Sequence, residues 1–131
     1  MKHLKTGKSR TEFALLASTR SAQAAMMTLQ LGGSTGEHVE NEHPNAEQWL
    51  FVVSGTGKAT VGRRSVKLAA NSLLLIEKGE PHRIVNTGRS PLVTLNFYVP
   101  PAYKQGGDVK LSVTNANLLR TIARPFTPRA R

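Results

Sequence analysis

Four histidines and no cysteine decide where this 131-residue chain can do chemistry. Without a thiolate, any metal must be held by nitrogen and oxygen, and both a disulfide framework and a cysteine nucleophile are ruled out. Two blocks hold the relevant side chains. The first reads Asn41-Glu42-His43-Pro44-Asn45-Ala46-Glu47-Gln48-Trp49 and runs on through Leu50-Phe51-Val52-Val53-Ser54 to Gly55. The second runs from Asn71 to Ile76, then Glu77, Lys78 and Gly79, with His82 and Asn86 beyond. A strand sends alternate side chains to the same side, so positions 41 and 43 face one way together. Taken singly, His43 or His82 reads as an ordinary hydrogen-bonded histidine. His38 lies in a loop rich in Gly and Glu, and His3 in a polar N-terminal arm.

The elements that must position these residues are strands. Short apolar runs separated by Gly, Pro, Asn and Ser predict strands over Phe13–Ala17, Ala24–Leu31, Gln48–Val53, Lys58–Val61, Ser65–Leu68, Leu73–Ile76, His82–Val85 and Leu92–Val99. Gly62-Arg63-Arg64 reads as a hairpin turn. Eight strands in a closed double sheet fit an all-β jelly-roll barrel. One short helix is expected near Asn115–Ala123, capped by Asn115 or Asn117 and ended by Pro125. Trp49-Leu50-Phe51-Val52-Val53 and Leu73-Leu74-Leu75-Ile76 are apolar on both faces, where a sheet with one wet face should alternate. A second copy of the chain is the expected cover, which predicts a two-fold homodimer. The alternative is that the N-terminal strands or the C-terminal segment fold over that face.

The length suits one domain with its own core. The organisation expected is a basic N-terminal arm with a swappable strand over 1–20, a barrel over 21–103 and a basic C-terminal segment over 104–131. The formal charge of +10 sits in the flanks: residues 36–100 hold seven basic against six acidic side chains. Solvated ends are the expected reading. Nucleic acid is not the expected partner, since no aromatic residues are interleaved with the flanking charges for base stacking. No apolar stretch is long enough for a membrane span, and the start MKHLKTGKSR is too polar for a secretion signal, so a cytoplasmic protein with no membrane partner is expected.

The two blocks resemble the motifs of the cupin superfamily. Its first motif, G-x5-H-x-H-x3,4-E-x6-G, is met by His43, Glu47 or Gln48, and Gly55. Its second, G-x5-P-x-G-x2-H-x3-N, is met by Gly79, His82 and Asn86, with Asn71 and Glu77 in place of the family's Gly and Pro. The resemblance covers roughly positions 36 to 86 and implies a double-stranded β-helix with a divalent transition metal inside. Where the family has its first His, this chain has Asn41, and six residues back from Gly55 stands Gln48. If Leu50 and Val52 point inward then so does Gln48, and Glu47 points away, unless a bulge at the turn reverses the register. The metal ligands carried over are therefore His43, His82 and Gln48, then Asn41, with Glu47 as the substitute for Gln48.

Such a donor set is neutral, so a bound ion would keep its full charge. It suits Fe, Zn, Ni, Mn or Cu without choosing among them. Asn96 and Tyr98 share a face of the last strand and are candidates to line the pocket beside the metal. Met26 and Met27 read as strand packing, Trp49 as core or interface, Arg83 as outward, and Asn86 as a turn residue bonding backbone. The wording from Glu40 to Pro44, with Gln48-Trp49-Leu50 and Pro100-Pro101-Ala102-Tyr103, is similar to small bacterial single-domain cupins, which implies a homodimer with one small-molecule pocket per subunit. Two functions remain open. One is a metal-dependent enzyme, such as a dioxygenase or isomerase, on a small organic substrate, for which Glu47 or His38 would have to be the base. The other is a binding or sensing protein, with or without metal, that does not turn its ligand over.

Overall fold

The runs rich in Leu, Val, Ile and Phe all become strands, because half-buried pleated surface is where branched and aromatic side chains pack best. The computed structural model describes residues 1–6, 12–40 and 43–104. Its strands are β1 (Phe13–Ser18), β2 (Gln23–Leu29), β3 (Glu47–Ser54), β4 (Gly57–Val61), β5 (Arg64–Leu68), β6 (Leu73–Ile76), β7 (His82–Asn86) and β8 (Leu92–Val99). They form two sheets, a five-stranded one in the order β1-β2-β8-β3-β6 and a three-stranded one in the order β5-β4-β7, with every pairing antiparallel. The expected helix at Asn115–Ala123 lies outside the described residues. The expected strand to Leu31 ends earlier, at Leu29, because Gly32 takes a φ of 72° and closes a turn in which the Gly33 N–H donates to the Gln30 carbonyl at 2.8 Å.

The chain passes between the sheets at corners. Gly55, at φ 91°, carries it from β3 towards β4 so close to the Pro91 carbonyl that any Cβ would collide. Asn71 adopts φ 74°, a left-handed conformation that Asn tolerates better than most side chains. Between the sheets lies a core of Phe13, Met27, Leu29, Leu50, Val52, Ala59, Leu68, Ile76, Ile84 and Leu92.

Two devices outside the ladders matter for the interior. Residues 33–40 run along the free side of β7: the His82 N–H donates to the Glu40 carbonyl at 2.8 Å, the Thr35 N–H to the Ile84 carbonyl at 3.0 Å, and the Asn86 N–H to the Gly33 carbonyl at 2.9 Å. β7, which carries His82, is thereby held on both edges. At the other end, buried Gln23 acts as a latch. Its Nε2 donates to the Tyr103 carbonyl at 2.8 Å and to Ser18 Oγ at 3.0 Å, while its Oε1 accepts the N–H groups of Ala102 at 3.1 Å and Tyr103 at 2.9 Å. Tyr103 then packs edge-on against Phe13 and Tyr98, both at 5.0 Å between ring centroids.

Candidate functional site

His43 precedes a tight turn closed by the Ala46 N–H on its own carbonyl at 3.1 Å, and that turn feeds β3. The ladder then alternates as the apolar pattern requires. Gln48, Leu50 and Val52 are buried, and Glu47 turns to the surface, where it accepts a hydrogen bond from Trp49 Nε1. The irregularity in β3 falls later, between Val52 and Ser54, so it does not disturb the register at Gln48. From the opposite sheet β7 sends His82, Ile84 and Asn86 inward. The His43 and His82 rings meet across the barrel at 4.7 Å between centroids, and the Tyr98 ring stands edge-on to His43 at 5.1 Å.

The structure thus brings together His43, His82 and Gln48, with Asn96 and Tyr98 of β8 beside them. Asn41 lies outside the described residues. His38 is exposed, and Arg83 is turned outward, its Nε donating to the Gly36 carbonyl. Asn86 bonds backbone, donating to the Leu29 and Ser90 carbonyls and accepting from the Gly88 N–H. Met26 and Met27 are packed in the sheet. Sequence reading missed Thr94, whose hydroxyl donates to the Met27 carbonyl at 3.2 Å and which holds Asn96. The period-two series Thr94, Asn96, Tyr98 was the available signal. Among the described residues no third His, Asp or Glu joins the two histidines.

The proton inventory of this cluster is short by one. His43 Nδ1 lies 3.2 Å from the Ala46 carbonyl, and Nε2 lies 2.7 Å from Gln48 Oε1. Both partners are acceptors, yet a neutral imidazole has a single N–H. Whichever nitrogen keeps it, the other faces an oxygen with electron pair against electron pair. A second proton would cure this, but burial holds the His43 pKa below its ordinary value, against the raising effect of the Gln48 and Ala46 bonds. His82 is pushed down to about 4, first by burial and then by the nearby His43, with the Glu80 carbonyl opposing. Its Nδ1 lies 3.0 Å from that carbonyl. With Nδ1–H on a carbonyl, each ring presents Nε2 as an electron-pair donor, the tautomer a metal-ligating histidine needs.

Comparison with known proteins bears on the same region. The family model described as Cupin domain matches residues 25–98. An uncharacterised Bacillus subtilis protein, YrkC, is 29% identical over 90 residues, which cover 64% of this chain and 47% of that one, so the chain spans about half the length of this curated relative. The crystal structure of a Bacillus halodurans protein superposes with a TM-score of 0.73 at 26% identity, covering 82% of this chain and 83% of that chain. A predicted oxalate decarboxylase from Thermotoga maritima gives 0.60 at 26% identity, covering 67% and 78%. KdgF from a Halomonas species gives 0.60 at 16% identity over 67% and 76%, a likeness of fold alone.

Proposed function

This chain belongs to the cupin domain family, and from that premise we propose that its barrel interior holds a first-row divalent metal ion on His43 Nε2, His82 Nε2 and Gln48 Oε1 and offers it to a small anionic ligand. The observation that carries the reading is that the buried His43 and His82 rings meet at 4.7 Å between centroids, each with Nδ1 against a backbone carbonyl, and that Gln48 Oε1 lies 2.7 Å from His43 Nε2. Imidazole nitrogen and amide oxygen suit Fe, Zn, Ni, Mn or Cu. Because these donors are neutral, the ion keeps its whole charge, and a carboxylate or enolate is the ligand that compensates it. A small carboxylate is also the class suggested by the relative described as a predicted oxalate decarboxylase. When bound, the metal would act as a Lewis acid on the ligand's oxygen. The chain's own part is to orient: the carbonyls of Ala46 and Glu80 set both rings, and the Tyr98 ring, backed by Tyr103, packs edge-on against His43. Among the described residues no His, Cys, Asp or Glu completes a group of three with the two histidines, and the Glu80 carboxylate acts on His82 through its charge.

Elemental analysis of the purified protein tests this. Wild type should carry up to one equivalent of transition metal per chain, and the double variant His43→Ala/His82→Ala should carry none. Equal metal in the two proteins removes the site.

The outer face of the five-stranded sheet supports a second proposal, a homodimer. Register places Phe97 and Leu75 on either side of Trp49, and Leu95 and Leu73 on either side of Phe51. Trp49, Leu73, Leu75 and Phe97 are all exposed. Together with Val53 they make a contiguous apolar patch of the kind that marks an interaction surface. A second copy brings the same face, as a two-fold interface requires.

A further inference from the structure

The proposed metal site, on which the following rests, needs Gln48 to show its oxygen to His43, yet an amide head has nearly the same shape either way round. Hydrogen bonds alone choose between the two orientations. Gln48 Nε2 donates to Asn96 Oδ1 at 2.8 Å. Asn96 Nδ2 in turn donates to Thr94 Oγ1 at 2.9 Å and to the Thr94 carbonyl at 3.3 Å. The Thr94 hydroxyl spends its hydrogen on the Met27 carbonyl. Backbone carbonyls cannot donate, so this relay has one direction. Turning Gln48 over would turn Asn96 as well and set its oxygen against the Thr94 carbonyl. All three side chains are buried, where such an acceptor–acceptor contact finds no water to relieve it.

We propose that Asn96, braced by Thr94, is a positioning residue that fixes Gln48 with its oxygen towards His43 and makes position 48 an electron-pair donor. The ladder explains the reach. Gln48 stands directly opposite Tyr98 on β8, and Leu50 opposite Asn96, so Gln48 and Asn96 are diagonal neighbours on the inner face, within range of a long side chain. Thr94 stands opposite Met27 on β2, so the relay crosses three strands and ends in the sheet itself.

The test is a Co(II) titration by calorimetry of four proteins: wild type, Asn96→Leu, Gln48→Glu and the double variant. Asn96→Leu frees the Gln48 head to rotate and should weaken Co(II) binding about 10- to 100-fold. In the Gln48→Glu background the head has two equivalent oxygens, so adding Asn96→Leu should change affinity by no more than about 3-fold. An equal loss in both backgrounds overturns the proposal and makes Asn96 a mere brace. Thr94→Val, a smaller change, should show the same pattern with a loss of under about 10-fold, and it serves if Asn96→Leu does not fold. A wild type that takes no Co(II) overturns the metal reading instead. The orientation is then read in the metal-free protein, where NOEs from the Gln48 side-chain amide protons to Asn96 and Thr94 uphold it and NOEs to the His43 ring overturn it.

Discussion

Along β3 the two faces of one strand differ in burial. Gln48 is 3% exposed and Leu50 and Val52 are fully buried, whereas Trp49 and Val53 on the other face are 37% and 46% exposed. Both faces are thus largely apolar: the dry face adds one polar residue, Gln48, to Leu50 and Val52, and the outer face leaves large apolar side chains uncovered where an ordinary sheet surface would be polar. Buried polar groups persist only when each finds a partner, and here the relay from His43 through Gln48 and Asn96 to Thr94 supplies those partners. Exposed apolar groups need no partner to exist, but burying them is favourable wherever a matching surface is at hand. The inner face is therefore the one on which the proposed metal site stands, and the outer face the one on which the proposed dimer stands.

Three experiments press on that contrast. Placing a charge on the outer face should have the largest effect: Trp49→Glu puts a carboxylate at the centre of the patch and should convert a sedimenting dimer to monomer or to aggregate. A wild-type protein that sediments as a monomer at micromolar concentration ends the dimer proposal.

Acid should attack the inner face. The His82 pKa is about 4 in the folded chain, against an ordinary value near 6.5 once unfolded. Between those values the unfolded chain binds a proton that the folded chain refuses, so stability is full above pH ~6.5 and falls as the pH drops towards ~4. The loss should reach about 3 kcal/mol. Denaturant melts of metal-free protein at pH 7 and pH 4.5 measure it. His82→Gln should flatten most of the slope and leave the part due to His43, which is shifted in the same direction. A pH-independent midpoint in wild type would mean that the interior admits protons freely.

The smallest effect separates neighbours on the strand. Glu47→Gln removes the carboxylate nearest the site in sequence, yet Glu47 faces outward with Trp49 on its side chain. Metal content should be unchanged and stability should move by under about 0.5 kcal/mol. Loss of metal in this variant would shift the site by one residue and restore a carboxylate to it.

Much of this was legible in the sequence. The apolar alternation Gln48, Leu50, Val52 is a period-two signal that favours Gln48 inside and Glu47 outside unless a bulge intervenes, and the ladder at Gln48 is regular. The strand limits were likewise set by Gly and Pro punctuation to within two residues. What could not be read is the set of partners. The carbonyls of Ala46 and Glu80 that orient the two imidazoles belong to the backbone and leave no trace in residue type. Asn96 is legible only as sharing a face with Tyr98, and its bond to Gln48 depends on the register between β3 and β8, strands far apart in the chain, and on a diagonal rather than a direct pairing. Gly32 stopped β2 short of its apolar end because one left-handed residue outweighs the preference of Leu31 for a strand.

The Gln23 latch has a consequence for how the barrel opens. The amide hydrogens of Ala102 and Tyr103 are held by a side chain on β2 rather than by a neighbouring strand. Their exchange with solvent deuterium therefore reports on Gln23, and on the β1–β2 edge that Gln23 shares through Ser18, as one cooperative unit. Tyr103 leans on Tyr98, and Tyr98 on His43. A fluctuation that releases Gln23 thus loosens the ring stack that ends on His43, and Gln23→Leu should speed deuterium uptake at Ala102 and Tyr103 together.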